Sequence, residues 1–161
     1  MASAYAFHPM SRDHLPMIRR WLETPEVVRW WGDPDEQYEL VSGDFDHPDM
    51  DQFIVAADDR PFGYIQCYAL STWNESFGPQ PEATRGIDQF IGEPAMIGQG
   101  HGSAFIRQFA DGLLASGIPR IVTDPDPDNA RAVRAYTKAG FQRGRVIDTP
   151  DGPALMMVRN P

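Results

Sequence analysis

Arg85-Gly-Ile-Asp-Gln-Phe-Ile91 followed by Ile97-Gly-Gln-Gly-His-Gly-Ser103 is the stretch that decides the fold. The first segment reads as a β-strand, the second as a glycine-rich turn, and Phe105, Ile106, Phe109 and Leu113 then recur at helical spacing. A strand, a glycine turn and a helix in that order leave unpaired backbone N–H groups at the helix start, where the helix dipole also favours an anion. Alternate glycines at Gly98, Gly100 and Gly102 let the backbone approach a pyrophosphate closely. Neither common nucleotide motif fits. A Walker A loop needs Gly-Lys before Ser or Thr, whereas Gly102 is followed by Ser103 and Ala104; the Rossmann fingerprint spaces its glycines unevenly.

Outward from this stretch, Ile118 to Thr123 reads as a buried strand and Asp128 as the cap of a helix running through Ala139, with Gly140 as its stop. Phe141 to Ile147 and Ala154 to Val158 form two strands around the turn Thr149-Pro-Asp-Gly-Pro153. Upstream, Ala4 to Phe7 reads as a first strand. Ser11 caps a helix carrying Leu15, Ile18 and Leu22, and Pro25 to Trp30 forms a second helix. Gln52 to Ala57 and Phe62 to Leu70 make a hairpin about Asp58-Asp-Arg-Pro61. Ser71 to Thr84, with Asn74, Gly78, Pro79 and Pro81, reads as a functional loop. This order predicts an α/β (α+β) fold with a mixed sheet and helices on its faces.

A length of 161 residues allows one sizeable core, so a single domain over 1–161 is expected. Composition, 42% hydrophobic and 23% charged, is that of a globular chain. Fourteen Lys and Arg against 23 Asp and Glu give a net charge of -9, which argues against nucleic acid and suits a cationic small molecule. Cys67 is the sole cysteine, and His8, His14, His47 and His101 fall in no ligand-like pair, so no metal is expected. Asp124-Pro-Asp-Pro-Asp128 opens like an EF-hand loop but has Asn129 and Ala135 where that loop needs Gly and Glu. Its prolines fix a rigid loop, aiming Asp124 outward while Asp128 caps the helix. Met1 to Met10 contains no signal-like apolar run and no segment reaches membrane-span length, so a cytoplasmic location with no membrane partner is expected.

The glycine turn and the later helix Asn129 to Ala139, ending Tyr136-Thr-Lys-Ala-Gly-Phe141, resemble the acetyl-CoA site of the GNAT acetyltransferases. That resemblance implies that Ile97, Gly98, Gln99, Gly100, His101, Gly102 and Ser103 hold the pyrophosphate. It also implies that the strand through Phe90 and Ile91 pairs with pantetheine, and that Asn129 and Tyr136 face the cofactor. The family places Arg or Gln where this chain has Ile97, a departure that leaves backbone donors in place. Trp30-Trp-Gly32, Gly63-Tyr-Ile-Gln-Cys-Tyr68, Arg85-Gly-Ile-Asp-Gln89, Thr123-Asp-Pro125 and Thr149-Pro-Asp-Gly-Pro-Ala154 are similar to segments of the aminoglycoside 6′-N-acetyltransferases. By that likeness Asp88, Asp124 and Asp151 are aminoglycoside-binding carboxylates, Trp31, Gln66 and Tyr68 line the substrate side, and Tyr136 is the general acid. The segment Glu36 to Asp51, part of the substrate wall, matches poorly and looks shorter.

An aliphatic amine is protonated at neutral pH and must lose a proton before it attacks a thioester. A carboxylate can hold the ammonium and accept that proton. Asp88 is the candidate, a lone acid within the apolar strand Ile87 to Ile91. Strand N–H groups near Phe90 or Ile91 would stabilise the oxyanion if the sheet splays there, and Gly92 and Pro94 favour such an interruption. A tyrosine, pKa about 10, is a suitable donor to a thiolate of pKa about 8.5, which fits Tyr136. Cys67 reads as a buried structural thiol. The rival expectations are a siderophore-type or polyamine N-acyltransferase of the same fold, and a non-catalytic acetyl-CoA or polyamine sensor. A histidine usual at the position of Asp88 in the siderophore group separates the first. A monomer or a homodimer is compatible with all three.

Overall fold

A computed structural model describes residues 4–73 and 76–161. Asn74 of the expected loop, and Met1 to Ser3 of the segment read as lacking a signal run, lie outside the described residues. Among the described residues seven strands form one mixed sheet in the order β1-β2-β3-β4-β5-β7-β6. The chain divides into two compact units, residues 1–66 with 89–101, and residues 67–88 with 102–161, so that β3 and β4 each run from one into the other.

The first unit starts with β1 (Ala6–Pro9), two residues later than the sequence predicts, antiparallel to β2 (Met50–Ala57) with Phe7 opposite Val55. Ser11 does open the helical region, but through a 3-10 turn at Arg12–His14 in which the Ser11 N–H donates to His14 Nδ1 at 2.9 Å. Helix α1 (Leu15–Leu22) follows, with Pro16 in its first turn, where no intrahelical donor is lost. Pro25 likewise starts α2 (Pro25–Trp31), which stops at Gly32 with φ +98°. A third helix, α3 (Pro34–Gly43), was not expected. Asp33 caps it by accepting from the Asp35 N–H at 2.8 Å, Pro34 occupies its first position, and an Arg19–Asp35 ion pair ties it to α1. Met10, Ile18, Trp21, Leu22, Val27, Val41, Ile54, Tyr64 and Phe90 close the core of this unit. Each such side chain gains roughly 1.5–3 kcal/mol from leaving water.

The β2 to β3 (Arg60–Ala69) hairpin turns on Asp58 and Asp59, both at positive φ (49° and 62°), as a two-residue primed turn requires. Beyond β3, the expected loop begins with a helical turn, α4 (Leu70–Trp73). Strand β4 (Arg85–Ile91) has the predicted bounds.

Helix α5 (His101–Ala115), in the second unit from Gly102 onward, buries Phe105, Ile106, Phe109 and Ala110. Strand β5 is shorter than expected, Ile121–Thr123, and all three of its residues are buried. It runs parallel to β4 for two pairs, Arg85 with Ile121 and Gly86 with Val122, and antiparallel to β7 (Gly152–Arg159). Helix α6 (Ala130–Lys138) is capped by Asn129, whose Oδ1 accepts from the Ala132 N–H at 3.2 Å. Asp128 is therefore not the cap. Asp126 claims the preceding turn, its carboxylate accepting from the Asp128 N–H at 2.9 Å. Gly140, at φ +99°, ends α6, and the Phe141 N–H returns to the Tyr136 carbonyl at 3.0 Å. Strands β6 (Gln142–Thr149) and β7 pair from Thr149 with Gly152, leaving Pro150 and Asp151 as the turn. No helix among the described residues is long and apolar enough to cross a membrane.

Candidate active site

The second unit brings together five of the residues expected at the site: Tyr68, Asp88, Asp124, Tyr136 and Asp151. Tyr68 ends β3, Asp88 lies at the centre of β4, Asp124 directly follows β5, and Asp151 occupies the β6–β7 turn. The approach is made possible by Gly86, because a Cβ there would lie 2.4 Å from the Tyr68 ring. Thr123 ties β5 to β4 beside Asp88, its Oγ1 donating to the Ile87 carbonyl at 3.0 Å. The Pro125 carbonyl accepts from the Leu155 N–H at 2.8 Å, which anchors the loop after Asp124 to β7. Asp124 is therefore half-buried within the group and not aimed outward as the prolines suggested.

The electrostatic consequence is strong. Burial first, then the neighbouring charges of Asp88 and Asp151, push the Asp124 carboxyl from 3.8 up to about 8. Burial, reinforced by Asp88, Asp124, Tyr136 and Cys67, likewise holds the Tyr68 hydroxyl well above the usual phenol range. Carboxyl groups this crowded resist a second negative charge. A cation placed among them removes the conflict.

Tyr136 lies on α6, 3% exposed, edge-on to Phe141 with ring centroids 5.4 Å apart. The central strands pair in parallel only as far as Gly86 and Val122, after which β4 continues to Ile91 while β5 stops at Thr123. The parallel pairing therefore ends ahead of Phe90 and Ile91, where a splay was expected. In the first unit, the N–H groups of Gly92 and Glu93 both converge on the Phe62 carbonyl, at 2.7 and 3.2 Å, which interrupts β4 just beyond Phe90 and Ile91. Gly92 is obligatory there, as a Cβ would lie 2.1 Å from Trp21. Phe90 itself packs into the core, 5.3 Å from Tyr64 and 5.1 Å from Trp31, so only its backbone is available to a ligand.

The glycine turn divides its labour. Gly98 and Gly100 adopt φ +76° and +86°, and a Cβ on either would meet nothing within 4 Å, so the space beside the backbone is open just before a 15-residue helix. Ile97 donates its N–H to the Pro94 carbonyl, and the Gln99 side chain donates to the Ala95 carbonyl at 2.6 Å. Nδ1 of His101 lies 2.9 Å from the Tyr5 hydroxyl, and its ring packs on Phe62. These three residues brace the turn through those contacts. The Asn129 carboxamide oxygen is engaged as a helix cap.

Trp31 and Gln66 belong to the first unit. Trp31 meets Tyr64 edge-on at 6.3 Å, and Gln66 Oε1 accepts from the Tyr64 hydroxyl at 2.7 Å. Gln52, which sequence reading treated as a strand residue, completes that group. A polar residue within the apolar run of β2 was the available signal. Cys67 is buried, its Sγ 3.4 Å from Arg85 Nε. A pocket of about 420 Å³ in the second unit is lined by Leu70, Gln80, Glu82, Thr84, Arg85 and Ile118 among others, and by none of the expected site residues.

A mixed sheet whose parallel central pair ends beside a carboxylate is the frame of an acyl-CoA-dependent N-acyltransferase. Residues 11–149 match the acetyltransferase (GNAT) domain, and the chain belongs to the GNAT acetyltransferase family. Over 93% of its length it is 34% identical to the aminoglycoside N(6′)-acetyltransferase type 1 of Klebsiella pneumoniae, covering 80% of that protein. Two crystal structures of the aminoglycoside acetyltransferase AAC(6′)-Ib superpose on 98% of the chain. The complex with paromomycin and acetyl-CoA does so with TM-score 0.88 at 30% identity over 93% of that chain. The complex with coenzyme A and kanamycin does so with TM-score 0.87 at 29% identity over 95% of that chain.

Proposed function

We propose that this acyltransferase acetylates the 6′-amine of aminoglycosides, using acetyl-CoA and direct attack of the amine. The observation that carries the reading is the crowding of Asp88 and Asp151 about the buried Asp124, with Tyr68 beside Asp88 and Asp124, which leaves Asp124 protonated near neutral pH until a cation arrives. An aminoglycoside supplies several ammonium groups on one rigid scaffold. The kanamycin and paromomycin held by the solved relatives are of that class.

Acetyl-CoA, held at its pyrophosphate by Gly98, Gly100, Gly102 and Ser103, supplies an activated acetyl group and a thiolate leaving group. Asp88 accepts a proton from the bound ammonium, which frees the nitrogen lone pair to form the new N–C bond as the C–S bond breaks. Backbone N–H groups at Phe90 and Ile91, beside the interruption at Gly92, stabilise the negative charge that develops on oxygen. The acylated nitrogen releases its second proton to solvent as the amide forms, while Tyr136 donates its hydroxyl proton to the departing sulfur and is reprotonated through solvent.

The deciding experiment is an amine-panel assay with acetyl-CoA, comparing kanamycin-type drugs with hydroxylysine and linear polyamines, followed by locating the acetylated nitrogen. Acetyl transfer to the 6′-nitrogen of kanamycin, lost in Asp88→Ala, supports the reading. Preferential turnover of hydroxylysine, or tight binding without turnover of any amine, overturns it.

A further inference from the structure

A glycine turn that receives a ligand has to be held in shape by its neighbours, because glycine loses more freedom on ordering than any other residue. Gly98 and Gly100, at φ +76° and +86°, put two such residues close together. The contacts of Ile97 with Pro94 and of Gln99 with Ala95 are local, so they curl the turn without fixing its place. His101 supplies a long-range hold. Its Nδ1 lies 2.9 Å from the hydroxyl of Tyr5, 96 residues earlier in the chain. Its ring meets Tyr5 edge-on with centroids 6.0 Å apart and rests on Phe62 at 5.5 Å, and Tyr5 in turn packs on Phe62 at 5.9 Å. Phe62, in β3, is 1% exposed; Tyr5 immediately precedes β1, whose register sets Ala6 opposite Ala56 of β2. Three rings from three separate stretches of the first unit therefore meet at the end of the turn. Tyr5 and His101 are both half-buried, so the hydrogen bond between them is partly shielded from competing water.

We infer that Tyr5 is a positioning residue for the donor substrate: through His101 it fixes the glycine turn in the shape that receives the pyrophosphate of acetyl-CoA. This rests on the proposed placement of the pyrophosphate at that turn, and extends the donor's support to a residue ahead of the first strand. Tyr5 acts on the anionic part of the donor alone, since the pantetheine arm belongs to β4 in the same reading. Without the hydroxyl, His101 keeps its aromatic packing but loses the bond that sets its ring, and the turn has to be ordered at the expense of binding.

The test is calorimetric binding of CoA to the wild type, Tyr5→Phe, His101→Phe and the double variant. It is joined to the KM for acetyl-CoA and for S-acetylpantetheine, which lacks the pyrophosphate, with kanamycin as acceptor. Tyr5→Phe removes one oxygen and keeps the ring that packs on Phe62. Each single variant is expected to weaken CoA binding and raise the KM for acetyl-CoA by about three- to tenfold, the scale of one hydrogen bond, with kcat within about twofold and the KM for S-acetylpantetheine unmoved. The double variant is expected to lose no more than either single one, since both remove the same bond. A general loosening of the fold would raise KM for both donors alike. Such parallel losses, an unchanged CoA affinity in both single variants, or losses that add in the double variant overturn the proposal. The calorimetry needs no acceptor, so its outcome is independent of the aminoglycoside reading. Gly98→Val, at a φ that valine does not tolerate, tests the placement of the pyrophosphate separately. Weaker CoA binding in Gly98→Val supports that placement even where Tyr5→Phe overturns the proposal; CoA binding unchanged by Gly98→Val overturns both together.

Discussion

Burial and the charges of Asp88 and Asp151 lift the Asp124 carboxyl to about 8, so the folded protein retains a proton there that the unfolded chain releases near 3.8. Folding therefore takes up a proton between those values, and stability falls as pH rises through that window and levels off above about 8. Asp124→Asn removes the titration with little change of shape. Thermal melts are expected to show the variant more stable than the wild type by a few degrees at about pH 9, the difference shrinking toward zero near pH 4. The same substitution is expected to raise the KM for kanamycin, because the carboxylate that the cation would stabilise is gone. Asp88 acts differently. With Asp88 as the proposed proton acceptor for the amine, Asp88→Asn is expected to lower kcat on the order of a hundredfold or more while acetyl-CoA binding, followed by calorimetry, stays unchanged.

Elements hold these side chains by close approach, and Gly86 shows how little room they leave. A methyl group at this point of β4 would lie 2.4 Å from the Tyr68 ring, so Gly86→Ala must push the ring from its place or bend the strand. Loss of most kanamycin turnover is expected from Gly86→Ala, with the retained fold checked by circular dichroism. Strand β4 was legible in full because its apolar run is bounded on both sides by turn residues, and the glycine turn because no other residue sits comfortably at φ +76° and +86°. Helix α3 was not, since Val41 alone is buried along it and no apolar stripe marks its face; its Asp33-Pro34 start was the readable sign. The cap of α6 was misplaced by one residue because Asp126 takes the Asp128 N–H, a choice made by loop geometry between two equally suitable side chains. Asp88, Asp124 and Asp151 were named from resemblance, since a carboxylate on an alternating strand faces solvent as readily as a site, whereas the Gln52–Tyr64 pair depends on β2 and β3 lying side by side, a contact that neither strand reveals alone.

At the scale of the whole molecule, 23 acidic and 14 basic residues leave a net charge of -9, and the two substrates of the proposed reaction carry opposite charge. In the proposed reaction the field of that net charge favours the approach of a polycationic acceptor and opposes an anionic pyrophosphate, which would rely on short-range backbone donors of the glycine turn. Added salt shortens the reach of that field from about 10 Å at 0.1 M to about 3 Å at 1 M, so the two substrates should respond in opposite directions. Raising ionic strength is expected to lower kcat/KM for kanamycin by about tenfold while the KM for acetyl-CoA holds or falls. Denaturation or general salt inhibition would depress both together. Neutral kosmotropes at matched osmolarity separate screening from changes in water activity, since they leave the field intact. If kanamycin kinetics prove indifferent to salt, the acidic surface serves solubility alone, and capture of the drug rests entirely on the short-range carboxylates Asp88, Asp124 and Asp151.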